Sequence, residues 1–254
     1  MCTLAFYFNM NDEYPLLVAA NRDEHYDRPS AAPQILSGSA KILAGRDLRA
    51  GGTWLGVNEH GLVVGILNRR LNGAEPARAN ARSRGLLCMD LLARKSAGDV
   101  RAFIAGHNQQ YNPFTLMFAD RDAAFIAYNV GPKLISQPLD SGLHVFSSAA
   151  EVDVQSVKAD RAREKFAGAP ACVDTTRARA IDWVPSLQKV LSDHVVDSGS
   201  NDPTDAICVH RESSGTVSAS IIAYSRSASA FEMFHCAGPP CRNSFGQALT
   251  LRVQ

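Results

Sequence analysis

The chain has 254 residues, 46% of them hydrophobic, with 26 Lys and Arg against 25 Asp and Glu and a net charge of +1. That balance excludes the basic footprint of a nucleic-acid binder and the polybasic run of a membrane-surface binder. No apolar stretch is long enough to cross a bilayer as a helix, and the length suits one domain over 1–254 with a sizeable core.

In chain order, "CTLAFYF" and "PLLVAA" read as strands flanking the polar turn "NMNDEY". The start lacks a basic segment and Asn9–Glu13 breaks its apolar run, so it does not read as a secretory signal. A second hairpin follows, "TWLGV" and "LVVGIL" around "NEHG", with Trp54 expected in the core. Helical periodicity runs from about Arg82 to Arg94 and from Asp99 to Ala105, with Asp99 as the N-cap. Two hairpin-like pairs come next, "FTLMFA" with "AFIAYNV" and "KLISQ" with "LHVFSS". A polar helix reads from Asp160 to Phe166 and an amphipathic one from about Thr176 to His194, kinked or ended at Pro185. The remainder returns to strands: "AICVHR", "TVSASIIAYS", "AFEMF" and "ALTLRV". Short turns between strands argue for antiparallel pairing, and about a dozen strands exceed one open sheet. The expectation is an α+β chain of two stacked, mainly antiparallel sheets with a helical block on each outer face.

Six cysteines (Cys2, Cys88, Cys172, Cys208, Cys236, Cys241) are scattered without a short-spaced framework, which fits a reducing compartment and a cytoplasmic protein. "HCAGPPC" (His235, Cys236, Cys241) is the one stretch that hints at metal, but it lacks a second ligand pair. No metal is therefore expected, and Cys236 and Cys241 read as loop thiols able to bridge under oxidising conditions.

Cys2 carries the sharper signal. Removal of Met1 would leave a thiol and an α-amine on one residue. Closing the first hairpin around Asn9 and Tyr14 sets Cys2 opposite Asn21, so "NRDE" (Asn21, Arg22, Asp23, Glu24) lands beside the thiol. Closing the second around Val57 and Leu62 sets Asn68 opposite Gly51, where Gly51 and Gly52 allow a close backbone approach to a ligand. A free thiol with a pKa near 8.5 is only about 3% thiolate at pH 7. A neighbouring cation such as Arg22 raises that fraction. An α-amine of pKa about 7.7–8.0 can act as its own general base, Asp23 can orient it, and Asn68 can donate to an oxyanion.

"MC" before a strand, then "LLVAANRDEHYDRPS" and "GGTWLGVNEHGLVVGILN", resembles the NRDE family, also called the transport and Golgi organisation protein 2 family. "YNPFTLMFAD", "HVFSSA" and "CVHRESSGTVSASIIAYS" fit the same pattern more loosely. The resemblance implies the four-layer αββα sandwich of the N-terminal-nucleophile hydrolases. It also implies catalytic roles for Cys2 as nucleophile, Arg22 beside the thiol, Asp23 beside the amine and Asn68 at the oxyanion. Asn21, Glu24, Gly51, Gly52 and Ser148 are then substrate-binding candidates. Ser148 stands where the family pattern has Asn, and Val217 where it often has Arg.

Two kinds of function compete. One is hydrolysis by Cys2 of an amide, or a thioester, in a small acyl substrate, without a cofactor. The other, implied by the resemblance, is a non-catalytic carrier of haem, acyl-CoA or lipid, or a secretory-pathway organisation factor. His144, His210, His235 and the cysteines are the candidate haem ligands, with no paired motif among them. The expected partner is a small acyl or hydrophobic molecule, with no nucleic acid and no integral membrane segment.

Overall fold

The computed structural model describes residues 2–69, 80–130, 133–148, 157–169, 179–196 and 201–254. β1 (Thr3–Phe8) and β2 (Leu16–His25) form the expected first hairpin. β3 (Ser30–Leu36), β4 (Ile42–Asp47), β5 (Leu55–Asn58) and β6 (Val63–Asn68) follow as an antiparallel meander. After α1 (Arg84–Leu92) and α2 (Ala97–Ala105), β7 (Phe114–Ala119), β8 (Ala124–Val130) and β9 (Lys133–Leu139) complete a seven-stranded sheet in the order β3-β4-β5-β6-β7-β8-β9. The chain then crosses over. β10 (Gly142–Ser147) pairs with β1, and after α3 (Val157–Gly168) and α4 (Val184–Leu191) come β11 (Ser214–Ser225), β12 (Ala230–Cys236) and β13 (Leu249–Arg252). The second sheet has six strands in the order β10-β1-β2-β11-β12-β13.

Strand alternation sorts the apolar side chains into three layers of core. Leu4, Phe6 and Phe8 of β1, with Leu16, Val18 and Ala20 of β2, meet Leu55, Val57, Val63 and Met117 of the other sheet. Ala5, Tyr7, Leu17 and Ala19 turn the other way, onto Phe166 of α3 and Leu187 and Leu191 of α4. Val64, Ile66, Leu116 and Phe118 pack under Leu87 and Leu91 of α1 and Val100 and Ile104 of α2. Both sheets are thus covered on two faces, which is why β1 and β7 read as unbroken apolar runs. The result is the four-layer αββα sandwich that the sequence leads one to expect.

Several local expectations change. Both early hairpins are offset by one residue: Thr3, not Cys2, lies opposite Asn21, and Leu55 faces Gly65. β3 and β4 were not anticipated, because β3 is an edge strand with mostly exposed side chains and Pro33 within it. "KLISQ" and "LHVFSS" are not a hairpin, since β9 pairs with β8 and β10 with β1 across the two sheets. "AICVHR" is not a strand: its buried Ile207, Cys208 and Val209 lie along a bent segment that meets β11 through the isolated His210–Gly215 bridge and through hydrogen bonds between Val209 and Thr216 and between Arg211 and Ser214. The N-cap of α2 is Ser96, whose side chain accepts from the Asp99 amide, so Asp99 sits in the first turn. Pro185 opens α4 rather than breaking it, following a 3-10 turn over Ala180–Trp183. The reading of a helix from Thr176 begins outside the described residues.

Candidate active site

The same alternation divides the tetrapeptide "NRDE", all of it within or at the end of β2. Arg22 and Glu24 follow Val18 and Ala20 onto the face between the sheets, and Asn21 and Asp23 follow Leu17 and Ala19 toward the helices. Cys2 packs at the edge of the inter-sheet core, as does Trp54. A cleft of about 230 Å³ opens there, lined by Cys2, Arg22, Asp23, Glu24, Trp54 and Asn68, with Arg28 and Asp47 on one side and Arg82 to Gly85 on another.

Cys2 is fixed by its backbone. Its nitrogen donates to Ser148 Oγ at 2.8 Å, and the Ser148 amide donates to the Cys2 carbonyl at 3.3 Å. The thiol lies 3.8 Å from the Asp23 carbonyl oxygen. Burial pushes the thiol above its ordinary range and Asp23 adds to the rise, while Arg22 opposes it only weakly. The expected thiol-lowering effect of Arg22 is therefore outweighed. The guanidinium is also committed elsewhere: it stands 3.3 Å from Asp47 and from Ser30 Oγ, and its carbon sits 4.3 Å above the Trp54 ring. Trp54 is half-buried and forms a cleft wall, not an interior core residue. Its ring also explains Gly45, where a Cβ would lie 2.8 Å from the indole.

The Asp23 carboxylate is held from the opposite side. Thr216 donates to it at 2.6 Å, and the fully buried Lys158 amine of α3 lies 3.7 Å away. A β-bulge in β11 at Val217 makes this reach possible, because it offsets Thr216 onto Asp23 while Ser218 pairs with Arg22. Val217, marked in the sequence as a departure from the family pattern, is thus the extra residue of the bulge.

Not every candidate meets the cleft. Asn21 is buried and donates both amide protons, to Leu191 O and Ile207 O at 2.9 Å each, so it fastens α4 and the 207 segment to β2. Gly51 and Gly52 are bypassed, although Ala50 and Thr53 on either side line the cleft. Gly52 instead allows a backbone contact with α1: a Cβ there would lie 2.1 Å from the Gly85 carbonyl carbon. Ser148, a substrate-binding candidate, is absent from the cleft lining and accepts instead from the Cys2 backbone nitrogen. Asn68, by contrast, does line the cleft, exposed at the end of β6. Of the haem candidates, His144 bonds Asp140 O and His235 bonds Ser220 Oγ, on different parts of the six-stranded sheet.

Lys158, Asp47 and the cleft-lining arginines Arg28, Arg82 and Arg84 carried no mark in the sequence. Arg28 is 2.6 Å from Asp47, and Arg82 pairs with Asp90. Arg84 donates to Pro113 O, and burial together with Arg28 pulls its pKa down. "RDL" and "RSR" offered no spacing that pointed at Cys2, since the fold alone brings them there. Chemically, the cleft joins a thiol to a rim of guanidinium, carboxylate and amide groups, a set suited to attack on a polarised carbonyl.

The family model described as Transport and Golgi organisation 2 matches residues 1–234. The chain belongs to that family. Among its members, the Transport and Golgi organization protein 2 homolog of Bos taurus is 33% identical over 138 residues, covering 48% of this chain and 46% of its own length. The Mus musculus and Homo sapiens homologs are 34% and 32% identical over 130 and 136 residues, covering 47% and 49% of this chain and 45% and 47% of theirs. The matched part of the chain thus spans about half the length of these family members. In fold, the chain is similar to a mutant of conjugated bile acid hydrolase from Clostridium perfringens in which the cysteine at position 2 is alanine, at a TM-score of 0.61 and 12% identity, over 99% of this chain and 92% of that one. A second variant of the same hydrolase, with an arginine changed to leucine, superposes at 0.55, with 12% identity over 100% and 98%. At that identity the likeness concerns the αββα fold, which is N-terminal-nucleophile hydrolase-like.

Proposed function

We propose that the protein is an N-terminal cysteine hydrolase that cleaves the carbon–nitrogen bond of an amide, or a thioester, in a small acyl substrate. The observation that carries this reading is the convergence of Cys2, Arg22, Asp23 and Asn68 on one cleft, in a fold shared with a conjugated bile acid hydrolase. In this scheme Met1 is removed and the new α-amine of Cys2 takes the thiol proton, which makes a low thiol pKa unnecessary. The thiolate attacks the substrate carbonyl and Asn68 donates to the oxyanion. The carbon–nitrogen bond then breaks as the proton passes from the amine to the leaving nitrogen, and water releases the acyl group from the thioester. Asp23, steadied by Thr216 and Lys158, provides negative charge beside the ammonium form. A volume of about 230 Å³ supports a short acyl group rather than a bulky one. A reducing, cytoplasmic setting suits a nucleophilic thiol.

Intact mass of the natively expressed protein should show loss of Met1. A limiting dose of iodoacetamide should label Cys2 before Cys241. A panel of short N-acyl amides and acyl thioesters should then reveal turnover that Cys2→Ala lowers by at least ~10³-fold. Retained Met1, with Cys2 labelled no faster than Cys241 and no turnover, would overturn the hydrolase reading in favour of a ligand carrier or secretory-pathway factor.

A further inference from the structure

Away from the cleft, three separate pieces of chain bring cysteine and histidine together beside the six-stranded sheet. Cys208 and His210 come from the bent segment before β11, Cys241 from the loop after β12, and His194 from the residues after α4. Cys208 Sγ lies 3.7 Å from Cys241 Sγ, and His210 Nε2 lies 3.2 Å from Cys241 Sγ and 3.7 Å from Cys208 Sγ. One ligating atom each of His194, His210 and Cys241 falls within 4.8 Å of the other two. None of these residues lines the Cys2 cleft.

We propose that Cys208, His210, Cys241 and His194 form a structural Zn²⁺ site. Zn–S bonds of ~2.3 Å and Zn–N bonds of ~2.05 Å at tetrahedral angles give edges of about 3.8 Å between two sulfurs and about 3.5 Å between sulfur and nitrogen. The three distances among Cys208, His210 and Cys241 lie within about 0.3 Å of those edges. The sulfur separation is also far beyond the ~2.05 Å of a disulfide. Two thiolates and two imidazoles make a neutral, closed site of N and S donors, the set that favours zinc over harder cations. As the ion enters, each thiol gives its proton to solvent and its sulfur bonds the metal, with no change of oxidation state. The surroundings hold the donors in place. His194 Nδ1 lies 3.2 Å from Ser192 O, the Cys208 amide donates to Asp193 O at 2.8 Å, and the Arg242 amide closes a turn on Pro239 O. Polar contacts of this kind orient metal ligands.

The proposal departs from the sequence expectation of no metal, and it leaves Cys236 out of the ligand set. Cys236 turns aside, its thiol on the carbonyls of Gly238 and Asn243 at 3.4 Å each. The ligands escaped sequence reading because only Cys208 and His210 are near neighbours in the chain. The zinc would also brace the candidate active site: Val209, between two ligands, donates its amide to Thr216 Oγ1, which in turn donates to Asp23. The inference does not rest on the hydrolase reading.

The full-length protein, grown with zinc and purified without chelator, should contain roughly one zinc per chain by elemental analysis. Cys208→Ser and Cys241→Ser should each lose most of it, and Cys236→Ser should retain it. Should the ligand variants fail to fold, Co²⁺ added to the wild-type protein decides the matter. A thiolate-to-cobalt charge-transfer band that Zn²⁺ abolishes supports the site. Zinc content no higher than in the Cys208→Ser variant, absence of that band, or a Cys208–Cys241 disulfide in anaerobically purified protein would overturn it.

Discussion

Asn21 stands one residue before the arginine of the cleft, yet its amide spans two elements by donating to Leu191 O and Ile207 O. Truncation would leave two buried carbonyls without donors, so Asn21→Ala should lower stability by about 2–4 kcal/mol in urea denaturation. The iodoacetamide labelling rate of Cys2 should stay unchanged, because Asn21 faces the helices. Asp47 belongs to the cleft side of the molecule. Burial alone would raise its pKa, but hydrogen bonds from Arg28 and the Ala50 amide and the charges of Arg28 and Arg22 outweigh that, and the carboxyl is held below its ordinary value. Its contribution is therefore complete above the unfolded carboxylate pKa of ~3.9 and fades as pH falls through the lower folded value. Asp47→Asn should cost about 1–3 kcal/mol at pH 7, and the gap from wild type should be narrower at pH ~3, below the unfolded carboxylate value, than at pH 7. An equal loss at both pH values would show that Asp47 acts by shape alone. Little of this was readable in "NRDE": the string marked the place, but the strand's alternation decides which residue meets ligand and which meets helix.

At the level of elements, both hairpins were recognised and both were set off by one residue. Their strands are buried on two faces, so the apolar pattern carries no register information. The turns set it instead. Asn9, at φ 51°, donates its amide to Pro15 O while Asn11 Oδ1 accepts from Glu13 and Tyr14. In the second hairpin Asn58 Oδ1 accepts from His60 and Leu62, and Gly61 takes φ 90°. The loop before β5 holds two neighbouring glycines with different work. Gly52→Ala would drive a Cβ into backbone of α1 that no rotamer change can move, and should cost about 2–3 kcal/mol or more. Gly51→Ala would place its Cβ in ordinary contact, 3.9 Å from Arg46 Nη2, but at φ 76°, and should cost only about 1–2 kcal/mol. Thermal unfolding of the two variants distinguishes them, and the reverse order would disprove the assignment of Gly52 to packing.

Across the whole molecule, the two helical blocks in the sequence foretold helices on both outer faces, and the family resemblance foretold the four layers. The crossing from β9 to β10 was not foretold, because adjacent strands that read as a hairpin carry no local mark of lying in different sheets. The inter-sheet layer is anchored by Phe6, fully buried, and Phe6→Ala should cost about 3–5 kcal/mol in urea denaturation. β2 lies inside the six-stranded sheet, hydrogen-bonded to β1 on one side and β11 on the other. Its amides cannot open one by one without breaking both ladders, so those of Ala19 to Asp23 should exchange with deuterium only through global unfolding. α1, a nine-residue helix at the surface of the cleft, has no such double ladder and should exchange faster. The cleft thus joins a floor of doubly paired strand to a wall formed by the start of a single short helix. A molecule entering it should slow exchange at Arg84–Leu92 and leave β2 at its ceiling, so that selectivity among similar molecules is decided by how far one short helix can give.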